Sequence, residues 1–320
     1  MEKNFSDLRF EGELHPVVKV VFVSSEIIYG IIAIFCNLLV IIAFVKEPKL
    51  RRQTNYYIVS LAMADFLMGL LGIPFGVLMP YIGTPTKNTA ICVSRTTLLL
   101  SSCNISIMSL VSISVKRFNI LSIIKPQRNR ATTKNVFREI CICWILGIIA
   151  GFIPFLSYDG WENACNASVY RSKIHITFRI IFMLLIPTII LGINYFKIHQ
   201  IVLNQITFER KIKNEIGSQR STEKLMRREI RTTANISLIM LIFIITWIPV
   251  HIIYAIGAFS DEITIKRNIA AICVCVAHSN VMFHPFVYTF RMRDIRSAVL
   301  RLFKDSSSKI DSSTFETSQK

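Results

Sequence analysis

The sequence predicts an all-α membrane protein: a bundle of seven transmembrane helices followed by a short amphipathic helix. Two observations carry this. Seven apolar stretches, at 17–45, 54–80, 90–122, 136–156, 173–203, 226–258 and 266–289, are each long enough to span a bilayer, whose core takes about 20 apolar residues of helix. A soluble helix keeps one polar side for water, and these do not. The composition agrees: of 320 residues, 52% are hydrophobic and only 18% charged, too few charges for an ordinary soluble chain.

The net charge of +17 is not a nucleic-acid signature, because most of the Lys and Arg fall in the segments after the first, third and fifth stretches and in the tail. By the positive-inside rule these segments are cytoplasmic, which places the N-terminus outside. Their partner is then anionic inner-leaflet lipid. Residues 1–16 read as an extracellular N-terminus, without the basic-then-apolar pattern of a signal peptide. The first span therefore serves as the insertion signal. Asn4 and Asn166 head glycosylation sequons in outside segments; Asn104 and Asn235 head sequons within or near spans and are set aside.

Taken in order, each span carries a residue that plain lipid-facing helix would not. Span one holds Glu26 in its outer part and Asn37 deeper. Span two holds Asp65 at mid-depth, in Leu61-Ala62-Met63-Ala64-Asp65. A charge there is costly and marks a functional position. Ser106 in span three and Asn280 in span seven lie at comparable depth. These side chains make either a pocket for a small cation or a hydrogen-bonded network without one. Span three ends inside with Lys116-Arg117-Phe118. Glu229 stands at the inner end of span six, and a bridge from Arg117 to Glu229 would bias two states more than it stabilises either. In span six, Trp247-Ile248-Pro249-Val250-His251 sets Trp247 and His251 on one face, either as the floor and wall of an aromatic-ligand site or as plain packing. His278 in span seven matches Glu26 in depth, and a pair between them would offset each other's desolvation.

Prolines punctuate the spans at Pro74, Pro154, Pro187, Pro249 and Pro285, where membrane helices tolerate kinks and use them as hinges. Of the eight Cys, six lie in apolar spans and act as small hydrophobes. Cys92 and Cys165 face the oxidising side. The seven-span domain covers 17–289. Residues 204–225 read as a polar connector between two helical extensions. Residues 290–303 form an amphipathic helix on the inner leaflet, with Met292, Ile295, Val299, Leu302 and Phe303 on its apolar face. Residues 304–320, rich in Ser and Thr, read as a disordered tail.

Taken together, these residues resemble the rhodopsin-like G-protein-coupled receptors, from Glu26 to Phe303. The carrying positions are Asn37, Leu61 to Asp65, Cys92, Arg117, Trp144, Pro187, Tyr195, Trp247-Ile248-Pro249 and Pro285-Phe286-Val287-Tyr288. Within that class the chain is similar to the adenosine receptors, on Trp247 to Ile253, Ala277-His278-Ser279-Asn280 and Glu26. Ser106 to Leu110 and Thr132-Thr133-Lys134 look like the third adenosine subtype. The resemblance implies a nucleoside-like ligand, adenosine or a relative, among Glu26, Leu99, Leu100, Cys103, Trp247, Val250, His251, Tyr254, Val274 and His278. Leu99 stands where amine receptors carry Asp. It implies an allosteric sodium ion as the one cofactor-like group, near Asp65, Ser106, Asn280 and His284. It implies coupling to a heterotrimeric G protein, by analogy the inhibitory type, through Lys116, Arg117, Phe118, Tyr195, Glu229 and Tyr288. It also implies a Cys92–Cys165 disulfide, a plasma-membrane location and a receptor dimer.

The departures are specific. Tyr254 replaces the Asn that grips adenine in the family, and Ala167 replaces the Phe that stacks on it. Each loss is worth about 1–3 kcal/mol of recognition. Arg179 and His175 add positive charge to outer span five, so a larger or anionic ligand is also an expectation. Lys116 replaces the acid before Arg117 and repels it, which predicts raised basal activity. His284 replaces the Asn before Pro285 and crowds the sodium position. The alternative to a working receptor is a non-signalling or decoy seven-helix protein. A transporter is disfavoured by the lack of inverted repeats or broken half-helices, a retinal pump by the lack of a Lys at 268–289, and an enzyme by the lack of any nucleophile–base or metal-ligand set.

Overall fold

The computed structural model describes residues 10–11, 13–78, 88–122, 133–156, 173–215, 220–260 and 265–304. Asn4, Cys165, Asn166, Ala167 and the tail from 305 lie outside these, as do the side chains of Cys92, Arg117, His175, Glu229 and Tyr288. Among the described residues, seven helices are long and apolar enough to cross a membrane: Pro16–Lys46, Gln53–Leu78, Val93–Lys116, Thr133–Ile153, Ile176–Ile201, Leu238–Phe259 and Arg267–Val287. They are called spans one to seven below.

The apolar surface is inverted relative to a soluble protein. Val17, Ile31, Phe35, Ile145, Phe196 and Ile245 all point outward and are more than half exposed. In water such a continuous apolar surface would drive aggregation; in lipid it is the solvated side. Polar and charged groups turn inward instead, Glu26, Asn37 and Asp65 being fully buried. Span three runs through the middle, packed on spans two, four and five, while span seven packs on spans one and six. The main core joins Leu61, Leu110, Ile113, Phe243 and Trp247, and a second cluster joins Phe22, Ala33, Met68, Ile73, Leu99 and Val281.

Small residues set the closest approaches. A Cβ on Gly69 would stand 2.9 Å from the Gly30 carbonyl oxygen, and one on Gly151 would meet the Ser101 Oγ at 2.1 Å. Without a hydrophobic drive between helices in lipid, such close backbone packing supplies the attraction.

Proline reshapes two spans. Span two leaves the α-helix at Met68 and runs as π-helix through Pro74 to Leu78. Span five is π-helical over Arg179–Leu185, just ahead of Pro187. A proline offers no N–H and its ring presses on the carbonyl four residues back; a wider turn relieves that pressure. In span six, by contrast, Pro249 sits inside one α-helix, Arg220–Phe259. Span seven is interrupted at Ser279 between the helices Arg267–His278 and Asn280–Arg291.

Two contacts add to the reading of the termini. Phe10–Glu11, within the N-terminal segment ahead of span one, pairs in parallel with Ile265–Lys266, the run leading into span seven. The His15 N–H also donates to Asn268 Oδ1 at 2.9 Å. Backbone pairing with a distant segment leaves no trace in a local apolar pattern. The C-terminal helix, at 293–304, turns part of its apolar face onto the bundle. Met292, Ile295, Ala298 and Val299 are buried in the main core, whereas Phe303 is exposed. Arg301 ties this helix to Glu47, at the inner end of span one, at 2.6 Å.

Candidate ligand site and switch network

Span seven presents two imidazoles to two buried carboxylates. His278 Nδ1 lies 2.9 Å from Glu26 Oε1 of span one, with Glu26 fully buried and His278 8% exposed. One helical turn and a half deeper, His284 Nδ1 lies 2.7 Å from Asp65 Oδ2 of span two. The Ser106 hydroxyl donates to the other Asp65 oxygen at 2.8 Å. Each pair obeys the rule that a buried charge survives only with a hydrogen-bonded partner.

Between the pairs lies a cavity of about 20 Å³, lined among others by Asp65, Cys103, Ser106, Trp247, His278, Asn280 and His284. It has room for about one water molecule. Trp247 lines it; His251, one turn outward from Trp247, directs Nδ1 to the Trp247 carbonyl oxygen at 2.8 Å, and its Nε2 is buried without a partner. A second cavity of about 10 Å³ opens toward spans four and five, lined by Leu100, Cys103, Asn104, Phe178, Arg179 and Trp247 among others. Arg179 sits over the Tyr254 ring, 5.5 Å from its centroid.

The other expected ligand residues are less direct. Leu99 turns toward span two, where a Cβ on Gly76 would touch its side chain at 2.8 Å. Val250 is buried in the main core, and Val274 packs on both clusters. Asn37, expected at the mid-membrane polar set, bonds instead to the Ala33 carbonyl of its own helix at 2.9 Å. Asn280 lines the cavity with Asp65 but gives its amide to Thr246 Oγ1 at 2.5 Å, leaving its own Oδ1 unpartnered.

The residues around Asp65 do not fit a sodium ion. A hard cation wants several oxygens. Each Asp65 oxygen already accepts a hydrogen bond, His284 brings nitrogen in place of an oxygen, and Asn280 Oδ1 is an acceptor without a partner. His284 thus supplies the partner that an ion would otherwise be. Among the described residues there is also no group of three His, Cys, Asp or Glu placed to hold a metal.

At the inner mouth, Lys197 of span five lies over the Phe118 ring at 5.4 Å. Tyr195 is 53% exposed and stands beside His199, facing outward rather than into the bundle. The Arg117–Glu229 bridge falls outside the described side chains.

Sequence reasoning missed three hydrogen bonds that cross between spans. Thr246 receives Asn280, Tyr57 bonds to Glu139, and Trp144 donates to Ser60 at 3.0 Å. Thr246 was discoverable as a lone polar residue in an apolar run; the others depend on which helices are neighbours.

The chain matches the family described as 7 transmembrane receptor (rhodopsin family) over residues 36–288. It belongs to that family. The chain is therefore a multi-pass receptor of the plasma membrane and not an enzyme, with a small-molecule ligand and a G protein as the partners that membership implies. It is 28% identical to Adenosine receptor A3 of Canis lupus familiaris over 317 residues, covering 93% of this chain and 97% of that one. It is 27% identical to Adenosine receptor A3 of Bos taurus, covering 90% and 91%. To Adenosine receptor A2b of Gallus gallus it is 24% identical, covering 87% of each.

Proposed function

We propose that this receptor is of adenosine-receptor type and takes a nucleoside-like ligand in the outer half of the bundle. The observation that carries the reading is the buried Glu26–His278 pair at 2.9 Å, whose His278 lines a cavity together with Trp247. Glu26 keeps Oε2 without a partner and His251 keeps Nε2, two polar atoms suited to the edges of a flat polar ring. The likeness to adenosine receptors supports the same choice.

In this reading the N-terminus is extracellular and Asn4 and Asn166 carry glycans. A Cys92–Cys165 disulfide ties the outer loop to span three. The ligand presses on Trp247, span six moves outward about Pro249, and the inner ends of spans three, five and six open to a G protein, by analogy the inhibitory type. Lys116, placed where an acid would steady Arg117, favours the open state without ligand. The basic cytoplasmic segments bind anionic lipid, and the receptor pairs with a second copy.

The test is G-protein activation against a concentration series of adenosine, in cells where surface display is verified. A saturable response supports the reading. A raised but flat response keeps the constitutive receptor and rejects adenosine. A flat response at the untransfected baseline favours a non-signalling protein, a second reading that Lys116, in place of an acid before Arg117, and His284 make specific. Reverting Lys116→Asp lowers basal activity if the repulsion argument holds, and unchanged activity removes it.

A further inference from the structure

We propose that the ligand of this receptor carries an anionic group, a carboxylate or phosphate on an aromatic body, and that Arg179 is the residue that receives it. The inference deepens the nucleoside reading and rests on it only for the identity of the aromatic part.

Charge accounting inside the membrane leads there. A guanidinium at this depth is costly and needs a partner. The described spans hold three carboxylates: Glu26, Asp65 and, toward the inner end of span four, Glu139. Glu26 is taken by His278, Asp65 by His284 and Ser106, and Glu139 by Tyr57. Spans three, five, six and seven contain no Asp or Glu. Among the described residues, therefore, no carboxylate pairs with Arg179. Its one recorded partner is the Tyr254 ring at 5.5 Å. Stacking on a ring holds a guanidinium plane but leaves its N–H edge free.

The local backbone brings that edge to the ligand space. Arg179 is the first residue of the π segment that precedes Pro187, and it lines a cavity together with Phe178, Asn104 and Trp247. The cavity thus combines a cation in a planar fork, two aromatic side chains and an amide. That set suits a flat ring with an acidic substituent, the fork meeting two oxygens at once. Tyr254 then has a role that the family's adenine-gripping Asn does not: it orients Arg179. His251, one turn inward on the same helix, adds the unpartnered Nε2.

The test uses the full-length receptor, purified, with binding read as a thermal shift across concentration. Matched pairs are compared: adenosine against adenosine 5′-carboxylic acid, and indole-3-acetamide against indole-3-acetate. The expected result is that the acid of at least one pair binds about tenfold or more tighter than its neutral partner, the size of one charge-assisted hydrogen bond. Arg179→Gln abolishes that preference, the acid then binding no tighter than its neutral partner, and Arg179→Lys keeps part of it. A preference seen only in the indole pair upholds the anionic group and rejects the nucleoside reading. Equal or weaker binding of both acids, no shift with either, or a preference that survives Arg179→Gln overturns the proposal. If Arg179→Gln does not fold, the wild-type pair comparison and Arg179→Lys still decide.

Discussion

Glu26–His278 and Asp65–His284 are the same chemistry at two depths on one helix, and they end in opposite states. At the outer pair the histidine meets one carboxylate oxygen, and the second, Oε2, is buried without a partner. At the inner pair His284 and Ser106 take both oxygens. The outer site is an acceptor waiting for a donor. At the inner site each carboxylate oxygen already has a donor from the protein. A buried carboxylate must be paired, but how many of its lone pairs the protein fills decides whether it remains available to a ligand or ion.

The largest effect comes from breaking the outer pair. His278→Leu leaves Glu26 buried and uncompensated, at a cost of about 3–5 kcal/mol, seen as a lower thermal midpoint of the purified receptor. Adding Glu26→Gln recovers most of the loss; if it does not, the pair is not what stabilises this region. At the inner pair, Ser106→Ala removes one of two donors to Asp65 and costs about 1–3 kcal/mol. The smaller loss than at His278 measures how far two donors share one carboxylate.

Sodium sharpens the contrast. The wild-type receptor melts at the same temperature in sodium chloride and in choline chloride at equal ionic strength. His284→Asn replaces the ring with an amide oxygen and frees Asp65, so sodium then raises the midpoint; at ten times the dissociation constant the gain is about 1.4 kcal/mol. A sodium response already present in the wild type would mean that His284 does not occupy the position. The smallest effect is at the exposed pair Arg301–Glu47, where Arg301→Ala costs about 0–1 kcal/mol despite a 2.6 Å contact. Short distance alone does not confer stability; burial does.

Much of this was legible in the chain. The spans were readable because lipid demands continuous apolar length, and their observed bounds differ by only a few residues at most ends. Spans five and six extend further, to Glu215 and from Arg220, because polar helix beyond an apolar stretch carries no hydropathy signal. Glu26 with His278 was readable as two costly groups at matched depth. His284 was readable as an intruder by the sodium position, but not its capture of Asp65 Oδ2, which needs the side-chain direction. Asn37 looked equivalent to Asn280 by depth, yet bonds its own helix, since hydrogen-bond choice follows the nearest acceptor and not depth.

The amino-acid sequence by itself determined the number of spans and the family, because those follow from hydrophobic length and motif order. It also determined which polar groups had to find partners. Only the tertiary structure decided the partners: Asn280 with Thr246, Trp144 with Ser60, Arg179 on Tyr254, and Phe10–Glu11 beside Ile265–Lys266. The physical reason is that burial cost belongs to a residue, whereas a hydrogen bond belongs to a pair of places, and those places come together only when the helices pack.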